Sequence, residues 1–580
     1  MKGWSERAYD AGLADALASS GCSRILARLL AARGVSARGL DEFFEPTLAD
    51  LAGKANPSDL PGIDAAVSEI LAAVSRVERI VVFGDYDCDG VCATAILMLI
   101  ISLLAGERAK PVAFLPERLP EGYGMSEASI ARMLKETPDV RLVVTVDNGI
   151  NAAEHVAALA ARGVRTVVTD HHLPGDELPA AAALVNPKVA APDSLRDLCG
   201  AGVAFLLAQA LMTAAKERSL YSGPSVGGPP LVLAGLATVT DIMPLTGVNR
   251  ILVHNALKHF SALAPLGLKE LFLRAARTAT KEFEARDFGF LIGPRINAAG
   301  RMASGMDALN LILSTDREEA RELARQVDLR NIERKSVEQE MLKDALSQVE
   351  PGAAAHVINL PHGHEGVAGI VAARVLEQAA ALPGSAGSVP VAVVVGTHGS
   401  ARAPAGYNVR DALECAAGVL DRYGGHAAAG GFSVKDGEQE RFRELFSTAC
   451  AAQAESLPDE VRGVSSFDGW VAPEELTLEL LDDLRRMEPF GEGNPEPLFG
   501  LRGVHLSDVR PLGADGRHLA LAFRERAVPK AIWWNRGNSI ESLRAQAASA
   551  CDIIFTVEAN DYQGRHVELR LVDLAPSTAS

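Results

Sequence analysis

The chain has 580 residues with 48% hydrophobic and 23% charged residues, room for several domains with their own cores and little scope for extensive disorder. Seven cysteines scattered without a CxxC pair fit reduced thiols, which sets aside a disulfide framework and structural zinc. The formal net charge of −17 does not exclude nucleic acid, because metal-binding carboxylates are neutralised in use and a local groove of arginines can hold phosphate on an acidic molecule.

The N-terminus carries acidic residues and no continuous apolar segment, so no secretory signal is read there and a cytoplasmic location is expected. Residues 1 to about 55 read as short helices, closed by the turn signals Asn56-Pro57 and Pro61-Gly62. The rhythm then changes. Ile80 to Phe83, Leu142 to Val146 and Arg165 to Thr169 are short β-branched runs that end in Asp- or Gly-containing loops, separated by Ala/Leu-rich helical stretches. This alternation predicts a parallel, helix-flanked sheet that binds ligands beyond the carboxyl ends of its strands. The apolar stretch Ala93 to Ala105 is short for a bilayer and reads as a buried helix.

Gly223 to Pro230 reads as a flexible loop. A long helix is expected from Thr315, whose spacing to Glu318 fits a capping box, to the stop at Pro351-Gly352, spanning about 50 Å if continuous. A second α/β block follows, with strands at His356 to Asn359 and Val389 to Val395 and glycines from Gly424 to Gly431. From Val461, the runs His518 to Phe523, Ala531 to Trp534, Ile553 to Glu558 and His566 to Val572 read as strands of a small barrel or sandwich.

The chemistry concentrates where strands end. GDYDCDG, Gly84 to Gly90, brings Asp85, Asp87 and Asp89 together after a strand, an arrangement of hard oxygen donors that suits magnesium or manganese. Taken alone, such a segment also fits a solvated Asp/Gly turn. VVTVDNG adds Asp147, VVTDHH adds Asp170, His171 and His172, and LAGLATVTDIMPL adds Asp241. In a parallel sheet these loops converge, and such a set is what a two-metal hydrolase needs: neighbouring cations, a bridging carboxylate and an acidified water. Ser400 and Arg402, with His426 on a glycine-rich turn, form a candidate anion pocket.

Together these motifs resemble the DHH phosphoesterase superfamily, and within it the RecJ family. Asp170-His171-His172, GDYDCDG, VDNG and TDIMP match its metal motifs, while PERLPEGYG (116–124), GPRINAAGR (293–301), GHEGVAGIVAAR (363–374), GSAR (399–402) and GGH (424–426) resemble further RecJ motifs. The resemblance implies an α/β fold: an N-terminal helical segment (1–55), a parallel-sheet DHH catalytic domain (56–250), a helical connector (251–350), a DHH-associated substrate-binding domain (351–455) and an OB-like β-barrel that binds nucleic acid (461–580). It implies that Asp85, Asp87, Asp89, Asp147, His171 and Asp241 ligate two manganese or magnesium ions, with Asp147 as the bridge. His172 would contact the scissile phosphate or protonate the leaving oxygen, and Asp170 would orient His171. Arg295, Asn297 and Arg301 would line an interdomain channel, Arg118 and Tyr123 would clamp and stack the strand, and Ser400, Arg402 and His426 would hold its end. One departure stands out: many members of the superfamily have histidine where this chain has Phe83, and Asp85 is the candidate to fill that gap.

The implied activity is metal-dependent 5′ to 3′ hydrolysis of single-stranded DNA to mononucleotides in repair and recombination, with single-strand-binding protein and a helicase as partners and no membrane. A DHH phosphodiesterase for short oligonucleotides or cyclic dinucleotides, and a silent single-strand-binding scaffold, are the alternatives at this stage.

Overall fold

A computed structural model describes residues 3–108, 110–224, 227–276, 283–379, 388–457, 465–513, 515–546, 549–561 and 564–577. The chain divides into two compact units, residues 51–463 and residues 1–50 with 464–580. The expected boundary at Val461 lies outside the described residues, as do residues 225 and 226 of the expected Gly223 to Pro230 loop. The rest of that stretch already contains a helix start, Gly228–Thr240.

In the larger unit, a five-stranded sheet runs in the order Val112–Phe114, Arg79–Phe83, Val140–Val146, Arg165–Thr169, Ala183–Val185, with every pairing parallel. Its central strands are apolar at successive positions because both faces are covered. Ile80, Val82, Leu142, Val144 and Val167 point into one core, and Val81, Phe83, Val143 and Val168 into another. The helix Cys88–Ala105 fills the first core. By length and composition it is apolar enough to cross a membrane, yet most of it is buried inside the protein, which accounts for its lack of a polar face.

The helix predicted from Thr315 runs over Arg317–Leu346, about 45 Å at ~1.5 Å per residue. Its cap is not Thr315 but Asp316, whose carboxylate accepts from Glu319 N at 2.8 Å; Glu319, not Glu318, is then the third helical residue. A second sheet follows in the order Leu420–Gly425, Ala429–Val434, His398–Arg402, Val391–Val395, His356–Asn359, parallel only between the last two strands.

In the smaller unit, a six-stranded sheet has the order Phe499–Val504, Cys551–Asn560, His566–Pro576, Ala531–Trp533, His518–Phe523, Leu506–Leu512. It is antiparallel except where Ala531–Trp533 meets His566–Pro576. Among the described residues no strand pairing joins the sheet's two edges, so it is an OB-type sheet without the full closure that a barrel requires. The N-terminal helices Ala11–Ser19 and Arg24–Ala32 pack on this same core, and Trp4–Glu6 pairs in parallel with Ser465–Phe467.

Candidate metal centre

Every acidic side chain singled out at the strand ends arrives at one place. The turn after Arg79–Phe83 buries Asp85, and Asp87 caps the next helix by accepting from Asp89 N and Gly90 N at 3.0 Å each. Asp89, in that helix's first turn, is itself buried and accepts from Gly200 N and Ala201 N at 2.7 Å each. Asp147 follows Val140–Val146 in the left-handed region at φ 60°, a conformation a short polar side chain tolerates. Asp241 stands at the end of Gly228–Thr240.

Donor atoms fall into overlapping groups, each within 4.8 Å: Asp85, Asp87 and Asp147; Asp147, His171 and His172; Asp89, His171 and Asp241. His171 Nε2 lies 3.1 Å from Asp147 Oδ1, 3.6 Å from Asp89 Oδ2 and 3.7 Å from Asp241 Oδ2. Burial lowers the His171 pKa to about 3, so its imidazole is neutral at physiological pH, the form that ligates metals. Burial and the Asp87 charge raise Asp89 to about 6; burial and the Asp89 and Asp87 charges raise Asp241 to about 8. The same two causes, burial first, push Asp85 and Asp147 well above the usual carboxylate range. Asp85 Oδ1 and Asp147 Oδ1 are buried with no hydrogen-bond donor. A carboxylate set this crowded, with orphaned oxygens and a neutral imidazole, fits hard divalent cations.

Asp170 serves a different histidine from the one expected. Its Oδ1 lies 2.7 Å from His172 Nδ1 and accepts from the backbone N–H groups of His171 and His172, while Oδ2 accepts from Ile150 N at 2.9 Å. The carboxylate therefore orients His172, because the turn directs the His171 ring away into the aspartate cluster. Burial, the largest single influence, works against a charge on His172, but the Asp170 bond and the Asp170, Asp241 and Asp89 charges together outweigh it and the His172 pKa is raised.

Phe83 is fully buried with its ring 4.9 Å from that of Phe114, and Asp85 lies in a donor group with Asp87 and Asp147. Tyr123 is more than a stacking ring: its hydroxyl donates to Asp147 O at 2.8 Å and lies 3.2 Å from His172 Nδ1, with the two rings edge to face.

The expected channel residues separate. Asn297 Oδ1 accepts from Cys88 N at 2.8 Å, which pins the metal-motif turn. Arg295 is tied by Nε to Asp328 at 2.9 Å and by Nη1 to Leu291 O, a packing role on the long helix in place of a free channel donor. Arg301 is half-buried, donates to Gly366 O, and is lowered to about 10 by desolvation and then by the neighbouring Arg118 charge. Arg402 is likewise lowered by burial and by Arg118. Arg402 Nη1 donates to Ser400 Oγ at 3.0 Å, and the pair faces Gly369, where a methyl group would stand 2.9 Å from both side chains. Arg118 lies over the Tyr86 ring at 5.0 Å. His426 sits in the exposed turn of the hairpin whose Ala429 pairs with Arg402.

Sequence reasoning missed the Gly200–Ala201 amides that hold Asp89. The small-residue run Cys199-Gly-Ala-Gly202 ahead of an apolar helix was the available signal.

Comparison with known proteins agrees with this geometry. Residues 79–225 match the DHH family N-terminal domain and residues 467–573 the RecJ OB domain. The single-stranded-DNA-specific exonuclease RecJ of Dickeya dadantii is 33% identical over 95% of this chain and 96% of its own length. Its Thermus thermophilus namesake is 38% identical over 83% of this chain, and the match spans 66% of that longer protein. The crystal structure of RecJ from Thermus thermophilus in complex with Mn2+ superposes with a TM-score of 0.83 at 30% identity, covering 100% of this chain and 80% of that one. The Mg2+ complex gives 0.77.

Proposed function

The chain belongs to the RecJ family of single-stranded-DNA-specific exonucleases, and we propose that it hydrolyses single-stranded DNA from the 5′ end to mononucleotides at the centre formed by Asp85, Asp87, Asp89, Asp147, His171 and Asp241. The observation that carries this reading is the set of overlapping donor groups with orphaned carboxylate oxygens. Manganese or magnesium, the ions in the complexes of the Thermus protein, would be held by these six side chains, of which Asp147 belongs to two of the donor groups. When bound, such cations supply Lewis acidity and positive charge for activating water and neutralising the phosphate.

The chain's own residues do the rest. His172, whose proton affinity the Asp170 contact raises, would give a proton to the leaving 3′ oxygen. Tyr123 holds the carbonyl of Asp147 and the ring of His172 in register. The Arg118 charge raises the cost of charge on Arg301 and on Arg402, which an anion relieves; with Ser400 and His426 these arginines would seat the 5′-terminal phosphate so that one phosphodiester reaches the centre. The OB unit adds affinity for longer strands, and single-strand-binding protein and a helicase would deliver them in cytoplasmic repair and recombination.

The test uses oligonucleotides labelled at either end. Mononucleotides should appear from the 5′ end only with Mn2+ or Mg2+, and EDTA should stop them. Arg402→Ala should shrink the advantage of 5′-phosphorylated over 5′-hydroxyl strands by about tenfold or more, the usual worth of a charge-assisted bond. Digestion from the 3′ end, or release of longer fragments, would overturn the polarity.

A further inference from the structure

Two of the six carboxylate and imidazole donors are held apart by an element that supplies no donor itself, the start of the helix Gly200–Glu217. Gly200 N donates to Asp89 Oδ2 and Ala201 N to Asp89 Oδ1, each at 2.7 Å, so both oxygens of a carboxylate only 2% exposed are fixed by backbone. The same glycine stands against the other carboxylate. A methyl group built on Gly200 would lie 2.6 Å from Asp147 Cβ, 2.9 Å from Asp147 Oδ1 and 3.0 Å from Asp147 Cα.

Asp147 has little freedom to give way. It is 2% exposed, its backbone sits at φ 60°, and its carbonyl accepts the Tyr123 hydroxyl. Nor does the backbone demand glycine, since Gly200 has no positive φ and begins an α-helix. Within a helix, alanine would be favoured over glycine. What the glycine provides is the close approach.

We infer that Gly200 is a positioning residue of the metal centre, which by its amide and its missing side chain, together with the Ala201 amide, sets the spacing of Asp89 and Asp147. The inference rests on the assignment of those two carboxylates as metal ligands. The spacing is thereby set by the backbone of the helix start, and metal affinity depends on a residue that touches no metal.

The experiment titrates Mn2+ into the full-length protein, following free Mn2+ by its paramagnetic resonance signal, with melting in EDTA as the control for fold. Gly200→Ala should lose about tenfold or more in Mn2+ affinity, the usual cost of disturbing the groups behind metal ligands, while still melting cooperatively in EDTA, at a somewhat lower temperature than the wild type because the methyl overpacks Asp147. An ester analogue at Ala201, in which oxygen replaces the peptide N–H, removes only the donation to Asp89 Oδ1 and should also weaken Mn2+. Wild-type affinity in a folded Gly200→Ala protein would overturn the inference. If that variant does not fold, the ester analogue decides, and unchanged affinity there overturns it. A wild-type protein that binds no Mn2+ would instead sink the ligand assignment.

Discussion

Two adjacent imidazoles are driven in opposite directions by surroundings a few ångströms apart. His171 is buried among carboxylates and pushed down to about 3, suited to offering a lone pair, whereas His172 is held up by Asp170 and suited to offering a proton. The sign follows directly. A histidine whose folded pKa is raised keeps its charge, and the stability its partner confers, below the unfolded value near ~6.5, and loses both as pH rises through the folded pKa. Asp170→Asn should therefore shift the alkaline limb of the pH–rate profile to lower pH and reduce turnover by roughly 10²-fold, a typical worth for a positioned general acid. An unmoved limb in a folded variant would show that Asp170 does not govern His172. The Asp-His-His triplet was plain in the sequence, but which histidine the carboxylate serves was not, because the turn that sends one ring inward and leaves the other beside Asp170 is a matter of backbone path.

The loop proposed to face the substrate is held by side chains with no chemistry of their own. In the segment carrying Arg118 and Tyr123, Glu121 accepts from Arg132 Nε at 2.6 Å, from Arg132 Nη2 at 2.9 Å and from Glu117 N at 2.7 Å, and Arg132 also lies over the Phe114 ring. Burial, the largest single influence, would raise the Glu121 carboxyl, but the Arg132 bond, the Glu117 amide and the Arg132 charge together outweigh it and the pKa is lowered. Its contribution is thus present above the unfolded value near ~4.3 and lost as pH falls through the folded pKa. Glu121→Gln should speed amide exchange across residues 117–124 and raise the KM for DNA a few-fold at neutral pH, with the exchange difference narrowing in acid; equal exchange in both proteins at neutral pH would refute the clip. Elements with strong local signals were legible: the parallel strands follow β-branched runs, and the long helix follows its apolar spacing. His398–Arg402 was not read as a strand, since His-Gly-Ser-Ala-Arg has no β-branched residue and owes its conformation to partners on either side. The cap moved from Thr315 to Asp316 because the carboxylate one position later reaches Glu319 N.

At the scale of the chain, what the sequence could not convey is that its two ends make one core. Leu17, Leu26, Leu29 and Leu30 are buried with Leu480, Leu484, Phe499 and Phe555, and Arg33 donates to Asn494 Oδ1 at 2.8 Å and Pro495 O at 2.7 Å. Trp4 Nε1 reaches Asp573 at 3.0 Å across 569 positions of sequence. No periodicity or motif encodes a pairing so distant, and an N-terminal helical segment of its own was the natural expectation. The consequence concerns how the OB unit can be removed. Deleting residues 464–580 alone would strand the N-terminal leucines, each worth roughly 1.5–3 kcal/mol when buried, and should give an aggregating protein. Deleting residues 1–50 as well leaves 51–463, a unit with its own buried cores, which should melt cooperatively and cleave short saturating oligonucleotides at near full-length rate. Its affinity for long strands, measured by fluorescence anisotropy at fixed salt, should fall by an order of magnitude or more on typical stacking energies of ~1–3 kcal/mol per base. A folded 51–463 protein that binds long strands as tightly as the whole chain would deny the OB unit its part in holding DNA, and a soluble, monomeric 1–463 protein would deny that the two ends depend on each other.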